Sequence, residues 1–204
     1  VTGLHHILNN VAWFIIGDFN GATGVLRRFF AGDPTAGAFM TGFFPVMMFG
    51  LPGACLAMYR AARPERRKAV GGLLASLALT SFLTGVTEPV EFTFMFLAPI
   101  LYALHAVATG ISMALMSFLG IHLGFSFSAG LFDYILNFGN AQRPLWLLPI
   151  GAVYFALYYV VFHYCIVRWN LATPGREPEE ATQDVPQTAG ARAAGFITAL
   201  RGAG

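Results

Sequence analysis

Long apolar runs dominate this chain, and the polar positions that interrupt them mark its elements. Residues 4–16 form a first apolar segment, short for a bilayer crossing and interrupted by Asn9 and Asn10. Residues 18–34 read as a loop from their glycines, charges and proline. Residues 36–59 are hydrophobic but broken by Gly42, Pro45, Gly50, Pro52 and Gly53, which predicts a kinked or re-entrant path in place of one straight helix. RAARPERRK at 60–68 has five basic residues and one acidic; the excess of Lys and Arg predicts a cytoplasmic loop. The Leu- and Ala-rich run at 70–84 predicts a clean helix. Residues 92–132 carry no Asp, Glu, Lys or Arg and are too long for one crossing of about 30 Å. Pro99 and the Gly120/Gly124 region divide them into a span and a second hairpin or broken helix. A polar connection at 133–143 precedes the last strong span, 144–167, where Trp146, Tyr154, Tyr158, Tyr159, Tyr164 and Trp169 are spaced as interfacial aromatics. From Thr173 onward the chain is charged, proline-bearing and poor in aromatics, the composition of a flexible linker. The pattern as a whole predicts an all-α polytopic membrane protein with about five spans, re-entrant hairpins or broken helices included.

Composition sharpens that picture. Hydrophobic residues make up 56% of the 204 positions and charged residues 11%, with a mean hydropathy of +0.63; soluble domains are nearer a quarter charged. A formal charge of +2 gives no reason to expect a nucleic-acid partner. Cys55 and Cys165 lie in apolar sequence without paired spacing, so neither a disulfide framework nor a metal site is indicated, and both are expected as buried thiols. No cofactor is expected. No signal-peptide layout is present, and the start at Val1 without an initiator methionine points to a fragment.

Chemistry concentrates in GVTEPVEF at 85–92, where Glu88 and Glu91 stand astride Pro89 in otherwise uncharged sequence. An ionised group at membrane depth is costly and is rarely kept without a partner or a task. Pro89 disfavours the helical conformation at Glu88 and suits the first position of a helix. That predicts Glu88 as N-cap, Pro89 as N1 and Glu91 as N3, where a glutamate reaches back to cap the helix and lies favourably in its dipole. Glu91 then has a structural account and Glu88 does not. A carboxylate at a helix break inside a membrane suits binding of a polar substrate.

The other polar residues carry weaker signals. His5 and His6 crowd one short segment with Asn9 and Asn10, as beside a polar cavity. His122, between Gly120 and Gly124 and near Ser126 and Ser128, stands equally as a packing residue or a ligand. His105 and His163 have neutral apolar neighbours and read as structural or interfacial. Asp18 and Asp33 sit at loop margins and suit turn or cap roles, and Asp133 reads as interfacial. The 20 phenylalanines are expected mostly to face lipid or the core.

Taken together, GLHH at 3–6, FFPVMMFGLPGA at 43–54, GVTEPVEF at 85–92 and GIHLGFSFSAG at 120–130 resemble the membrane (IIC) component of the bacterial sugar phosphotransferase system, glucose superfamily. The wording at 13–19 (WFIIGDF) and 31–37 (AGDPTAG) is most similar to N-acetylglucosamine-specific permeases. The resemblance implies a homodimer in the bacterial inner membrane, with the 60–68 loop and the C-terminal tail cytoplasmic. It implies binding of N-acetylglucosamine or glucose within the bilayer and presentation of the 6-hydroxyl to a phosphocysteine on a IIB domain. It carries the family's sugar-contacting glutamate onto Glu88, which then orients the hydroxyl and accepts its proton, and the family's histidine onto His5. Thr87, His6 and His122 follow as further expected sugar contacts.

The same resemblance implies a division of the chain. Residues 1–171 correspond to the C-terminal half of a IIC membrane domain, 172–191 to a cytoplasmic linker, and 192–204 to the start of a IIB-like domain. On that division the N-terminal half of IIC and the phosphorylatable cysteine are partners supplied elsewhere, since Cys55 and Cys165 lie in membrane segments. Two other readings compete: an ion-coupled secondary sugar transporter with Glu88 and a histidine as proton relay, and a truncated fragment without activity.

Overall fold

The computed structural model describes residues 10–177, built almost wholly of helices around two apolar clusters. Residues 10–14 are helical and lead into a small antiparallel hairpin, β1 (Asp18–Phe19) and β2 (Ala22–Thr23), with Asp18 opposite Thr23 and Phe19 opposite Ala22. Its tip, Asn20-Gly21, has φ of 52° and 84°, which is what a two-residue turn matched to strand twist requires. Helix α1 (Gly24–Phe30) follows. The expected loop at 18–34 is thus largely ordered, because Phe29 inserts into the core at 1% exposure.

After α2 (Ala38–Thr41), a π-helical stretch, Pro45–Gly50, runs directly into α3 (Leu51–Ala61). The prolines do not send the chain back on itself as expected. Both fall within the first two positions of their elements, and the wider turn tolerates the missing donors. α3 lies close against the last helix: a Cβ at Gly53 would fall 2.5 Å from the Phe155 carbonyl.

Helix α4 (Pro64–Thr84) begins well before the expected helix at 70–84. The basic stretch at 60–68 is therefore a tight corner between α3 and α4, with Ala62 and Arg63 as the only break. Pro64 and Glu65 are both favourable in a first helical turn. Residues 172–177, expected as the start of a loose linker, pack on this corner instead. The Arg63 amide donates to the Gly175 carbonyl at 3.2 Å, and Arg176 Nη1 donates to the Ala61 carbonyl at 2.9 Å. His5, His6, the rest of the linker and the IIB-like segment lie outside the described residues.

Helices α5 (Glu88–Met95) and α6 (Pro99–Phe118) follow, divided at Pro99 as predicted. An extended segment continues to α7 (Leu131–Leu136), with His122 bridged to Gln142. Two 3₁₀ turns, Phe138–Asn140 and Pro144–Trp146, lead into α8 (Leu147–Arg168). One core cluster joins α3, α5, α6 and α8 through Leu51, Met58, Phe94, Leu101, Tyr158 and Phe162. The second joins Phe29, Met40, Phe44, Leu123, Phe125 and Tyr134 around the extended segment.

Among the described residues, two helical stretches are long and apolar enough to cross a bilayer, Pro99–Phe118 and Pro144–Arg168. Only 22% and 28% of their apolar windows are buried, so most of that apolar surface points outward, opposite to the core helix of a soluble protein. The expected count of about five is not reached by this criterion. α3 has 11 residues, and α4 opens with charged side chains.

Candidate functional site

α4 ends at Gly85, whose φ of 71° no side chain adopts without cost. A Cβ there would also meet the Ala129 backbone at 2.8 Å. Two residues later the chain re-enters a helix, one position earlier than expected. Thr87 is the N-cap, and the Glu91 amide donates to the Thr87 carbonyl at 2.9 Å. Glu88 is therefore N1, Pro89 N2 and Glu91 N4. Pro89 loses nothing there, since the first four amides of a helix have no partner within it.

This shift changes the account of Glu91. Its carboxylate is not folded back as a cap but lies 3.6 Å from Nε2 of His105 on α6, an ion-pair distance and too long for a hydrogen bond. On its other side, His105 shares a 3.0 Å hydrogen bond, Nδ1 with the Tyr158 hydroxyl of α8. Tyr158 is 2% exposed and His105 8%. Glu88, one helical turn from Glu91, is exposed and makes no hydrogen bond or ion pair with the described residues.

Glu88, Glu91 and Thr87 border a cavity of about 970 Å³. Trp13, Phe43, Phe125 and Phe127 are among the apolar side chains of its wall. Trp13 and Phe43 meet Phe125 edge-on, with centroids 5.9 and 6.2 Å apart. Among the described residues the buried Trp13 indole N–H has no hydrogen-bond partner, which leaves a donor in the same wall.

Ser128 completes the polar part of the lining. Its hydroxyl donates to the Gly85 carbonyl at 2.8 Å. Asp133, expected at an interface, is buried at 5% exposure and accepts from the turn at 126–128. The Ser126 amide and hydroxyl both donate to it at 2.7 Å, the Ser128 amide at 3.1 Å and the Phe127 amide at 3.3 Å. Burial pushes the Asp133 carboxyl up, yet these donors outweigh it and hold the group below its ordinary value. Asp33 has the turn role expected of it. The Thr35 hydroxyl and amide donate to it at 2.7 and 2.8 Å, and Arg28 pairs with it at 2.6 Å.

Of the residues singled out in the sequence, Thr87, Glu88 and Glu91 come together on one wall, with Pro89 exposed beside them. His122 does not join them. Its Nδ1 is 2.8 Å from the Pro34 carbonyl and it is absent from the cavity lining, because the bridge to Gln142 fixes it on the far side of the extended segment. His105, read as structural or interfacial, is the residue that sequence reasoning missed. The available signal was a titratable ring in the same uncharged stretch as the two glutamates.

Residues 1–110 match the family model described as phosphotransferase system, EIIC. The chain is 58% identical over 181 residues to an N-acetylglucosamine-specific EIICB component of Bacillus subtilis (strain 168), covering 89% of this chain and 40% of that protein. It is 59% identical over 188 residues to an N-acetylglucosamine-specific EIIC component of Streptomyces coelicolor, covering 90% and 45%. It is 60% identical over 187 residues to an N-acetylglucosamine-specific EIICBA component of Escherichia coli (strain K12), covering 88% and 29%. The chain thus spans less than half the length of each of these relatives. With a family model over more than half of its residues, this chain belongs to the EIIC family of the phosphotransferase system.

Proposed function

We propose that this chain forms the sugar-binding wall of a phosphotransferase-system permease that takes up N-acetylglucosamine, with glucose as the alternative substrate. The observation that carries this reading is the asymmetry of the two carboxylates. Glu91 is engaged by His105, whereas Glu88 has no hydrogen-bond or ion-pair partner among the described residues at the edge of a 970 Å³ cavity. A neutral sugar brings hydroxyl donors, and a charge-assisted hydrogen bond to a carboxylate replaces the water that the hydroxyl gives up. The aromatic wall supplies apolar surface for the carbon face of the ring. The EIICB, EIIC and EIICBA relatives named N-acetylglucosamine-specific support this choice of sugar.

In this reading Glu88 orients the 6-hydroxyl and takes its proton as the new O–P bond forms and the S–P bond of a IIB phosphocysteine breaks. Thr87, His5 and His6 are further sugar contacts. The protein works as a homodimer in the bacterial cell membrane with the remaining EIIC spans, about five being contributed by this chain. The basic corner at 60–68 and the tail face the cytoplasm, where IIB acts.

The test is sugar binding and phosphoenolpyruvate-dependent uptake by the complete permease. Glu88→Gln keeps the shape and removes the charge, so binding and phosphorylation should fall by at least about tenfold, the scale of one charge-assisted hydrogen bond. Equal affinity and phosphorylation in wild type and Glu88→Gln would sink the assignment. An ion-coupled reading is favoured by one feature, the Glu91–His105 pair. Uptake that persists after the proton gradient is collapsed removes that reading.

A further inference from the structure

Part of the cavity lined by Glu88 is shaped by a carboxylate that is not itself in the lining. Asp133 spends both oxygens on one turn, accepting four hydrogen bonds from residues 126–128 and one more from Asn137 Nδ2 at 3.1 Å. Those bonds hold nothing distant in sequence. α7 itself is anchored by Tyr134, which packs with Phe44 in the second core cluster. What Asp133 determines is the path of the 126–128 backbone, and the exposed product of that path is a stretch of cavity wall.

The turn is also tied to the glutamate motif. Ser128 donates its hydroxyl to the Gly85 carbonyl at 2.8 Å. A Cβ at Gly130 would lie 2.5 Å from the Gly85 nitrogen and the Thr84 carbon. Backbone therefore touches backbone where the turn meets the residues just before Thr87 and Glu88. Phe127 sits at the apex with 73% of its surface exposed, so the clamp does not serve to bury it. A rigid turn presenting an unburied ring and joined to the start of α5 suits a binding wall better than a packing element.

We propose that Asp133 is a positioning residue of the sugar site, clamping the 126–128 turn so that Phe127 and Ser128 keep their place in the cavity wall they share with Glu88. This rests on the permease reading above. A sugar held by the turn and Glu88 loses affinity when the turn loosens, even though Asp133 never touches it.

The test uses the complete permease with Asp133→Asn and Ser126→Ala. An asparagine offers one acceptor oxygen and sets an NH₂ donor against amide donors, so it releases the turn. Ser126→Ala removes one donor from Asp133, the hydroxyl at 2.7 Å, and leaves the cavity lining untouched, and it carries the test if Asp133→Asn fails to reach the membrane. For N-acetylglucosamine uptake, KM should rise roughly tenfold in either variant while the maximal rate per folded transporter changes little. Asp133→Asn should also speed hydrogen–deuterium exchange of the amides of residues 126–128. Wild-type KM in both variants overturns the proposal, as does unchanged exchange in Asp133→Asn. A wild-type protein that binds neither N-acetylglucosamine nor glucose overturns the permease reading instead, and the clamp is then judged by exchange alone.

Discussion

Replacing His105 with alanine tests the pairing that separates the roles of the two glutamates. The substitution removes the cation or donor facing Glu91 and leaves the Tyr158 hydroxyl buried without its 3.0 Å partner. It also deletes a ring packed edge-on against Phe94 at 6.1 Å. A stranded buried hydroxyl costs about 1–3 kcal/mol. The Glu91 side chain keeps 22% exposure and that of His105 11%, so water takes over part of the lost ion pair, and its share falls well below the 3–5 kcal/mol typical of a fully buried pair. The total comes to about 2–4 kcal/mol, or a drop of roughly 5–12 °C in Tm for a domain of this size. Tyr158→Phe removes only the hydroxyl and should cost about 1 kcal/mol. Glu91→Gln keeps an acceptor beside the ring and should cost less again, showing mainly as a lower folding yield. Cys55 and Cys165 are both buried, so thermal unfolding in detergent is read directly from their reaction with a thiol-specific dye. The order His105→Ala, Tyr158→Phe, Glu91→Gln is the expected result. If His105→Ala melts within about 1 °C of wild type, the pair contributes nothing and the two carboxylates are equivalent.

Two more outcomes follow from the geometry. Gly130→Ala forces a Cβ to 2.5 Å from the backbone of Thr84 and Gly85, an overpacking cost of about 1–3 kcal/mol; Gly85→Ala adds about 1–2 kcal/mol for its left-handed φ of 71°. Thermal unfolding should rank Gly85→Ala below Gly130→Ala, and wild-type stability in either would contradict the backbone contact. The Thr35 hydroxyl and amide, helped by Arg28 and opposed by burial, hold the Asp33 carboxyl below its ordinary value of 3.8. A depressed carboxyl stabilises the fold above the unfolded value, and that contribution is lost as pH falls through the folded one. The Tm gap between wild type and Asp33→Asn should be full near neutrality and close below about pH 4; a gap independent of pH refutes the pairing.

What the sequence disclosed and what it concealed divide along one physical line. Elements set by local chemistry were readable: the apolar run of α8, the division at Pro99, and the break between Gly85 and Pro89. Even the early start of α4 had its markers in Pro64 and Glu65, overshadowed by the density of charge around them. The hairpin at 18–23 was hidden by brevity, although Asn20-Gly21 is a strong turn pair. The path through Pro45 and Pro52 was hidden because a π-helical turn accommodates prolines that an α-helix rejects. Site residues followed the same division. Thr87, Glu88 and Glu91, which line one cavity, come from one motif, while the surroundings of Glu91 depend on His105 and Tyr158, on two other helices. The hydrogen bonds of Asp133 required a bend at 126–128 that no periodicity announces.

The partnership of Glu91 also bears on how the protein is energised. A proton-coupled carrier needs a titratable path that continues from the substrate cavity toward the other side of the membrane. Here the chain of groups starts at Glu91, not at the unpartnered Glu88, and passes through His105 to Tyr158. There it runs into packing: Tyr158 stacks on Phe162 at 5.4 Å, and the neighbouring Tyr154 directs its hydroxyl to the Ala108 carbonyl at 3.4 Å. A carbonyl tied up within a helix accepts a hydrogen bond but does not pass a proton onward. Among the described residues the path therefore ends inside the core cluster of α3, α5, α6 and α8. An interrupted chain of this kind fits a group that fixes Glu91 in place. Among the described residues it leaves Glu88 as the cavity carboxylate without a hydrogen bond or ion pair, the group that the permease reading assigns to a neutral sugar.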